Sequence, residues 1–125
     1  MVELKDRDAV ALADMISAAD RTLQKAACGK DGFMSDPDSR DLVIHNLEHL
    51  CESASKLSRG FVSEHGEVPW DRLAELRNGG VGAPAKGDLD HRYTSLDPND
   101  TWEFVTTGLP GLLVRLRRIQ ARARR

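Results

Sequence analysis

The chain has 125 residues, a net charge of −2 and 40% hydrophobic residues, which is ordinary for one globular domain. Leu, Ala, Arg, Asp and Glu dominate while aromatic residues are few, so the composition favours helix over sheet. No segment approaches the ~20 apolar residues of a membrane span, and the N-terminus lacks a signal-peptide core. Cys28 and Cys51 lie in helical patterns without a disulfide framework, so we expect a reduced, cytoplasmic setting.

Two helices are predicted in the first half of the chain. The first covers about 8–28 and is expected to close at Gly29 and Gly32. The second opens at Asp36-Pro37, where an aspartate can cap the helix and a proline suits its first position. Its apolar stripe continues to Phe61 and predicts an end near Ser63.

Two further helices are predicted in the second half. A short one begins near Pro69-Trp70 and stops at Asn78-Gly79. The last opens at Asp97-Pro98 and presents an apolar face as far as Ile119. Pro110 falls inside this pattern and should kink the helix or split it in two. The sequence therefore predicts an all-α bundle of four to five helices, up-and-down, formed by a single domain over residues 1–125.

Residues 79–88 read GGVGAPAKGD and interrupt the helical pattern. A segment so rich in Gly and Pro has little to bury and is expected to be a flexible loop. A phosphate-binding P-loop is the alternative interpretation. It is disfavoured because Ala85 stands where the second glycine belongs, and because no Ser or Thr follows Lys86.

The charge is unevenly distributed along the chain. The last eleven residues contain six arginines and no acid, which leaves a balance of −8 on the other 114 residues. This basic end, with a tail at 120–125, could contact phosphates. We favour the alternative, a solvated tail that neutralises the C-terminus of its own helix, because six arginines on a short tail are weak evidence for binding.

His45 and His49 belong to the sequence HNLEH, which matches the H-x-x-E-H pattern of inverted zinc peptidases. Residues four apart share a helical face, so two imidazoles could bind one zinc ion. A third protein ligand is not evident. Because Leu47 belongs to the apolar stripe, we favour packing or interface histidines over a metal site, and we expect no metal and no cofactor.

Arg77, Asn78 and His91 stand at the two ends of the Gly/Pro loop. If the loop ends meet, they bring together a cation, an amide and an imidazole. Metal-free RNA cleavage needs such groups, because a base must deprotonate the 2′-OH, an acid must protonate the leaving oxygen, and a cation must stabilise the phosphorane. Spacing alone favours the simpler interpretation, in which Arg77 lies at a helix C-terminus and His91 caps a turn.

Several fragments, in order and spacing, resemble the HepT-like toxins of the HEPN superfamily, partners of minimal nucleotidyltransferases. The resemblance covers about residues 8–120. Its fragments are RDLVIHNLE at 40–48, VPW at 68–70, LRN at 76–78, HRY at 91–93, Asp97, Trp102 and Leu109-Pro110. It also accounts for the segment that holds His45 and His49 as ordinary family helix sequence.

The resemblance implies a metal-independent ribonuclease whose site lies in a homodimer groove. In that site Arg77 would stabilise phosphate charge, Asn78 would help to orient the phosphate, and His91 would be the acid or base. Tyr93 stands where family toxins are neutralised by AMP transfer from a nucleotidyltransferase antitoxin. Arg92 and Lys86 are the expected RNA contacts.

The chain departs from the family pattern in one interval. Thirteen residues separate Arg77 from His91, many more than is usual in the family, and the excess falls in the Gly/Pro loop. A loop that bulges outward would leave the two ends in register. The alternative is a catalytically degenerate HEPN module that binds RNA, nucleotide or a partner protein without cleavage.

Overall fold

The computed structural model describes the backbone of residues 6–77 and 98–123, and within them the side chains of 6–74, 99 and 101–122. Every regular element in these ranges is helical, which confirms the predicted all-α class. In chain order the elements are α1 (Asp6–Ala26), α2 (Gly29–Ser35), α3 (Pro37–Ser55), α4 (Arg59–Glu64), α5 (Trp70–Arg77), α6 (Pro98–Glu103), a π-helical segment (Phe104–Gly108) and α7 (Leu109–Ala123).

The long helices α1 and α3 form the centre of the bundle and pack against each other in an antiparallel arrangement. Apolar residues at helical spacing supply the buried faces because positions three and four apart share one side of a helix. Leu12 and Met15 of α1 and Leu47 and Leu50 of α3 are almost completely buried. The inner face of α7 closes the core from the side of α1.

A buried carboxylate fixes the end of α3 against the beginning of α1. Asp8, only 3% exposed, accepts hydrogen bonds from the backbone N–H of Ser58 at 2.8 Å and from its hydroxyl at 2.7 Å. The hydroxyl oxygen of Ser58 also accepts from the N–H of Phe61 and so caps α4. The predicted single helix to Ser63 is therefore wrong, because the chain breaks at residues 56–58.

The predicted end of the first helix at Gly29 and Gly32 is only partly right. Gly29 has φ = 89°, a left-handed conformation that favours glycine, and it follows the end of α1. Gly32, however, lies inside the short helix α2. That helix is held by Phe33, which is 1% exposed, and by Arg40, which donates to the carbonyl oxygens of Phe33 and Met34.

Near Pro110 the predicted last helix is divided into α6 and α7 by the π-helical segment Phe104–Gly108, which ends two residues before the proline. The N–H of Leu109 donates to the carbonyl of Phe104, five residues back. This shift of register accommodates a residue that has no N–H to donate. A side chain at Gly108 would lie 3.1 Å from a ring carbon of Phe104, so any larger residue here would make the Phe104 ring shift by a few tenths of an ångström.

The predicted loop at 79–88 lies outside the described residues. Both Cys28 and Cys51 are free thiols, as the sequence predicts. No helix in ranges 6–77 and 98–123 has the length and apolar character needed to cross a membrane.

Candidate functional site

Helix α5 carries the first of the predicted catalytic residues and is firmly anchored at its beginning. The indole N–H of Trp70 donates to the carbonyl of His65 at 2.9 Å, and the Trp70 ring meets that of Phe61 edge-on at 6.2 Å. Val68 and Leu73 are both 2% exposed. These contacts fix the direction of α5 on the side of α3, and Arg77 is its last residue.

A second contact joins α5 to the π-helical segment. The guanidinium of Arg72 lies over the ring of Phe104 at 5.9 Å from the ring centre, which is within cation–π range. The hydroxyls of Thr106 and Thr107 donate back to main-chain carbonyls of Trp102 and Glu103. The helix wall that faces α5 is therefore ordered by the same register shift that accommodates Pro110.

A groove of about 320 Å³ lies between α5 on one side and the π-helical segment with α7 on the other. We call it the α5–α7 groove. Its lining combines two arginines, one from each wall, with one acid and two glycines that leave its floor open. The described residues that line it are Pro69, Arg72, Glu103, Phe104, Thr107, Gly108, Gly111 and Arg115.

The α5–α7 groove has groups suited to a phosphodiester backbone. Guanidinium groups bind phosphate oxygens through directed, charge-assisted hydrogen bonds. Arg72 precedes Arg77 by five residues, so their backbones are separated by roughly 7.5 Å along the helix axis. A strand bound in the groove would thus lie close to the end of α5. Glu103 offsets part of the positive charge, so the groove is only moderately basic.

The structure shows the position of one predicted catalytic residue and not of the others. Arg77 is the last described residue of α5, and the predicted helix end at Asn78-Gly79 lies outside the described residues. The predicted partners Asn78 and His91, the modification site Tyr93 and the expected RNA contacts Lys86 and Arg92 lie outside the described residues. Their assembly with Arg77 stays a prediction.

The two histidines of the H-x-x-E-H pattern lie on α3 and are exposed. Their exposure rules out packing within one chain, because the buried face runs through Asn46 and Leu47 instead, and the alternative of interface histidines stays a prediction. No group of three His, Cys, Asp or Glu side chains with metal-binding geometry occurs in the described part of the chain.

The arginine-rich end of the chain is helical through Ala123 and contacts two acids. Arg117 lies 3.5 Å from Asp20, and Arg122 lies 3.7 Å from Glu67. Arg115 lines the α5–α7 groove instead. Sequence reasoning missed Arg72 and Arg115 as groove residues, although Arg115 follows Gly111 by one helical turn and therefore shares its face.

Comparisons with known proteins agree with the helical fold. A family model described as "Ribonuclease HepT-like" matches residues 12–119. A protein of Methanocaldococcus jannaschii, named a putative RNase, is 28% identical over 80 residues, which cover 64% of this chain and 59% of that protein. A protein of Thermococcus cleftensis, named a probable ribonuclease HepT, is 28% identical over 85 residues, 68% of each chain. No solved structure matches.

Proposed function

Because the chain belongs to the HepT-like ribonuclease family, we propose that it is a metal-independent endoribonuclease toxin. The observation that carries the proposal is the family match over residues 12–119, which includes both ends of the predicted catalytic stretch. The described structure supports it with a short helix that ends at Arg77 and borders a groove lined by two arginines.

The proposed reaction is transesterification within the RNA strand. The 2′-oxygen attacks the adjacent phosphorus while the 5′-oxygen leaves, so one proton is removed and one is supplied. His91 would do one of these, since an imidazole titrates near neutral pH. Arg77 would stabilise the charge on the phosphorane, and Asn78 would orient the phosphate. Lys86 and Arg92 would contact neighbouring phosphates.

We also propose that the active form is a cytoplasmic homodimer. One chain offers one histidine in the predicted site, whereas a two-fold axis would bring two histidines and two arginines to one groove. The dimer would then hold both the acid and the base of the reaction.

Control of the toxin is proposed to reside at Tyr93, two residues after His91. A minimal nucleotidyltransferase antitoxin would transfer AMP to the tyrosine hydroxyl. The added phosphate would bring bulk and negative charge beside the site and repel RNA. Mass spectrometry after co-expression with such a partner is expected to find AMP on Tyr93; inhibition without modification would mean that the partner acts by contact alone.

A second candidate function is a degenerate module that binds RNA, nucleotide or a partner without cleavage. The observation in its favour is the interval of thirteen residues between Arg77 and His91. Such a module would retain binding surfaces such as the α5–α7 groove and would lack the assembled acid and base.

An RNase assay in EDTA separates the two functions. We expect the purified protein to cut RNA in the chelator and the variants His91→Ala and Arg77→Ala each to lose at least about a hundredfold in rate. His49→Ala, which removes an exposed histidine on α3, is the matched control and should retain activity. Cleavage that survives both site substitutions would refute the assignment, and RNA binding without cleavage would establish the degenerate module.

A further inference from the structure

A second cavity, of about 510 Å³, lies between α1 and α3 at the end of the helix pair opposite to Asp8. We call it the α1–α3 cavity. It is separate from the α5–α7 groove and shares no lining residue with it. The described residues that line it are Arg21, Gln24, Lys25, Leu42, His45 and Asn46.

The α1–α3 cavity contains a buried amide without a hydrogen-bond partner among the described residues. Asn46 is only 7% exposed, and its side chain makes no hydrogen bond with any residue in the described part of the chain. A buried amide with neither donor nor acceptor satisfied is costly, and native proteins usually satisfy such a group with water or a ligand. Its position on the cavity wall places it where a bound molecule could pair with it.

The charged groups around this amide are cationic. Arg21 and Lys25 lie one turn apart on α1, and none of the described lining residues is an acid. Arg21 uses one guanidinium N–H on the hydroxyl of Ser17 at 2.7 Å, which leaves further donors for a ligand.

The nearest acid on α1 is already engaged by other groups. Asp20 accepts from the Gln24 amide at 3.2 Å and lies 3.5 Å from the guanidinium of Arg117. Its charge is therefore directed toward α7 and offset there. The charge of Lys25 also acts on the carboxylate of Asp36, the cap of α3, so the donors available to an anion come chiefly from Arg21.

The remaining lining residues suit a flat heterocycle. Leu42 is 43% exposed and offers an apolar surface, and His45 adds an aromatic ring at the rim. An asparagine amide presents a donor and an acceptor side by side, the pattern that pairs with the edge of a nucleobase. The volume falls within the range of ~300–1,000 Å³ found for small-molecule sites.

We propose that the α1–α3 cavity binds a nucleoside monophosphate, with Asn46 on the base edge and Arg21 and Lys25 on the phosphate. The nucleotide comes either free from solution or as one unit of an RNA strand. Binding of an RNA strand would deepen the proposed ribonuclease function and rests on it, whereas binding of a free nucleotide does not depend on that function. In either case the bound nucleotide satisfies the buried amide and the cations together.

Binding is tested with the full chain by fluorescence anisotropy of a labelled single-stranded RNA and by calorimetric titration of the four nucleoside monophosphates. We expect Asn46→Leu to weaken binding about tenfold or more. The double variant Arg21→Ala, Lys25→Ala should weaken it similarly and reduce its salt dependence. Arg59→Ala, at the opposite end of the helix pair, is the matched charge control and should bind within about twofold of wild type.

The outcomes separate this inference from the proposed function. Nucleotide binding that is lost in the cavity variants supports the inference even if the protein cuts no RNA. The opposite result has two parts: wild type binds no nucleotide, and Asn46→Leu cuts RNA with the same KM as wild type. This result would overturn the inference and leave the proposed ribonuclease function intact. If Asn46→Leu converts a dimer to a monomer in sedimentation and wild type binds no nucleotide, a second copy covers the cavity and the inference is wrong.

Discussion

The two ends of the α1–α3 pair each bury a polar side chain, but only one of these groups is satisfied. Asp8 accepts two hydrogen bonds from Ser58, whereas Asn46 makes none with the described residues. The two ends are separated by about 20 Å along α1. Asp8 and Asn46 are both almost completely buried, so they differ in their hydrogen-bond partners and not in their exposure.

The contrast separates polar groups that hold the fold from polar groups that await a ligand. A buried group that is fully paired stabilises a specific connection, here the turn from α3 to α4. A buried group without a partner costs stability, and proteins keep such groups mainly where function needs them. Opposite changes in stability are therefore expected when each is replaced by an apolar residue.

The largest effect is expected at Asp8. Asp8→Ala removes both hydrogen bonds from Ser58 and leaves the backbone N–H of Ser58 without an acceptor. The free energy of unfolding should therefore fall by about 3 kcal/mol. Urea denaturation monitored by circular dichroism measures the change. Asp14→Ala, a less buried acid on the same helix, is the control and should change stability by less than about 0.5 kcal/mol. Equal effects of the two substitutions would remove the distinction between the two ends of the pair.

The next effect is expected at Asn46 and has the opposite sign. Asn46→Leu replaces an unpaired buried amide with an apolar group of similar size, so the free energy of unfolding should rise by about 1–2 kcal/mol without ligand. Gln24→Leu is the matched control, because its exposed amide is paired with Asp20 and its loss should be nearly neutral.

The same Asn46 comparison becomes sharper when a nucleotide is present. A ligand that binds only the folded protein raises its stability by mass action. A nucleoside monophosphate at a concentration near its Kd for wild type should therefore raise the midpoint of thermal unfolding of wild type clearly more than that of Asn46→Leu. A destabilised Asn46→Leu protein would show that the amide has a structural role and would break the contrast with Asp8.

The helices themselves could largely be predicted from the sequence, because apolar periodicity and capping residues are local signals. The start of α3 at Asp36-Pro37 and the start of α5 follow from such signals. The break before α4 could not be predicted in this way. Leu57 and Phe61 continue the apolar stripe across it, and Asp8, the group that ends the helix, is fifty residues away in sequence.

The π-helical segment shows a second limit of local reasoning. Pro110 predicts a disturbance of the helix, but whether the helix kinks or shifts its register depends on how Phe104 and Gly108 pack. Site prediction has the same limit. Arg77 could be placed at a helix end from its local sequence, whereas the groove around Arg72 and Arg115 depends on the approach of two distant helices.

The smallest effect is expected at Asp36, which caps α3 near the α1–α3 cavity. Its carboxylate accepts from the hydroxyl of Ser39 at 2.8 Å and from the N–H of Asp38 at 3.1 Å. The hydrogen bond from Ser39, the largest cause, lowers the pKa of Asp36 below its ordinary value of 3.8. The pKa of Asp36 is thus lower in the folded protein than in the unfolded chain. The cap therefore stabilises the protein above about pH 4, and this stabilisation is lost as the pH falls through the pKa of the folded protein.

A serine at position 36 would keep an acceptor for the helix end without a titrating charge. The thermal midpoint of wild type should therefore exceed that of Asp36→Ser at pH 7, and the difference should shrink as the pH is lowered below 3.8. Asp36→Ala, which lacks any acceptor, should stay below Asp36→Ser throughout. Because Asp36 is exposed, a small difference is expected even at pH 7. A difference that grows in acid would mean that the charge of Asp36 opposes folding, and would leave Asp8 as the one stabilising carboxylate tested on this helix pair.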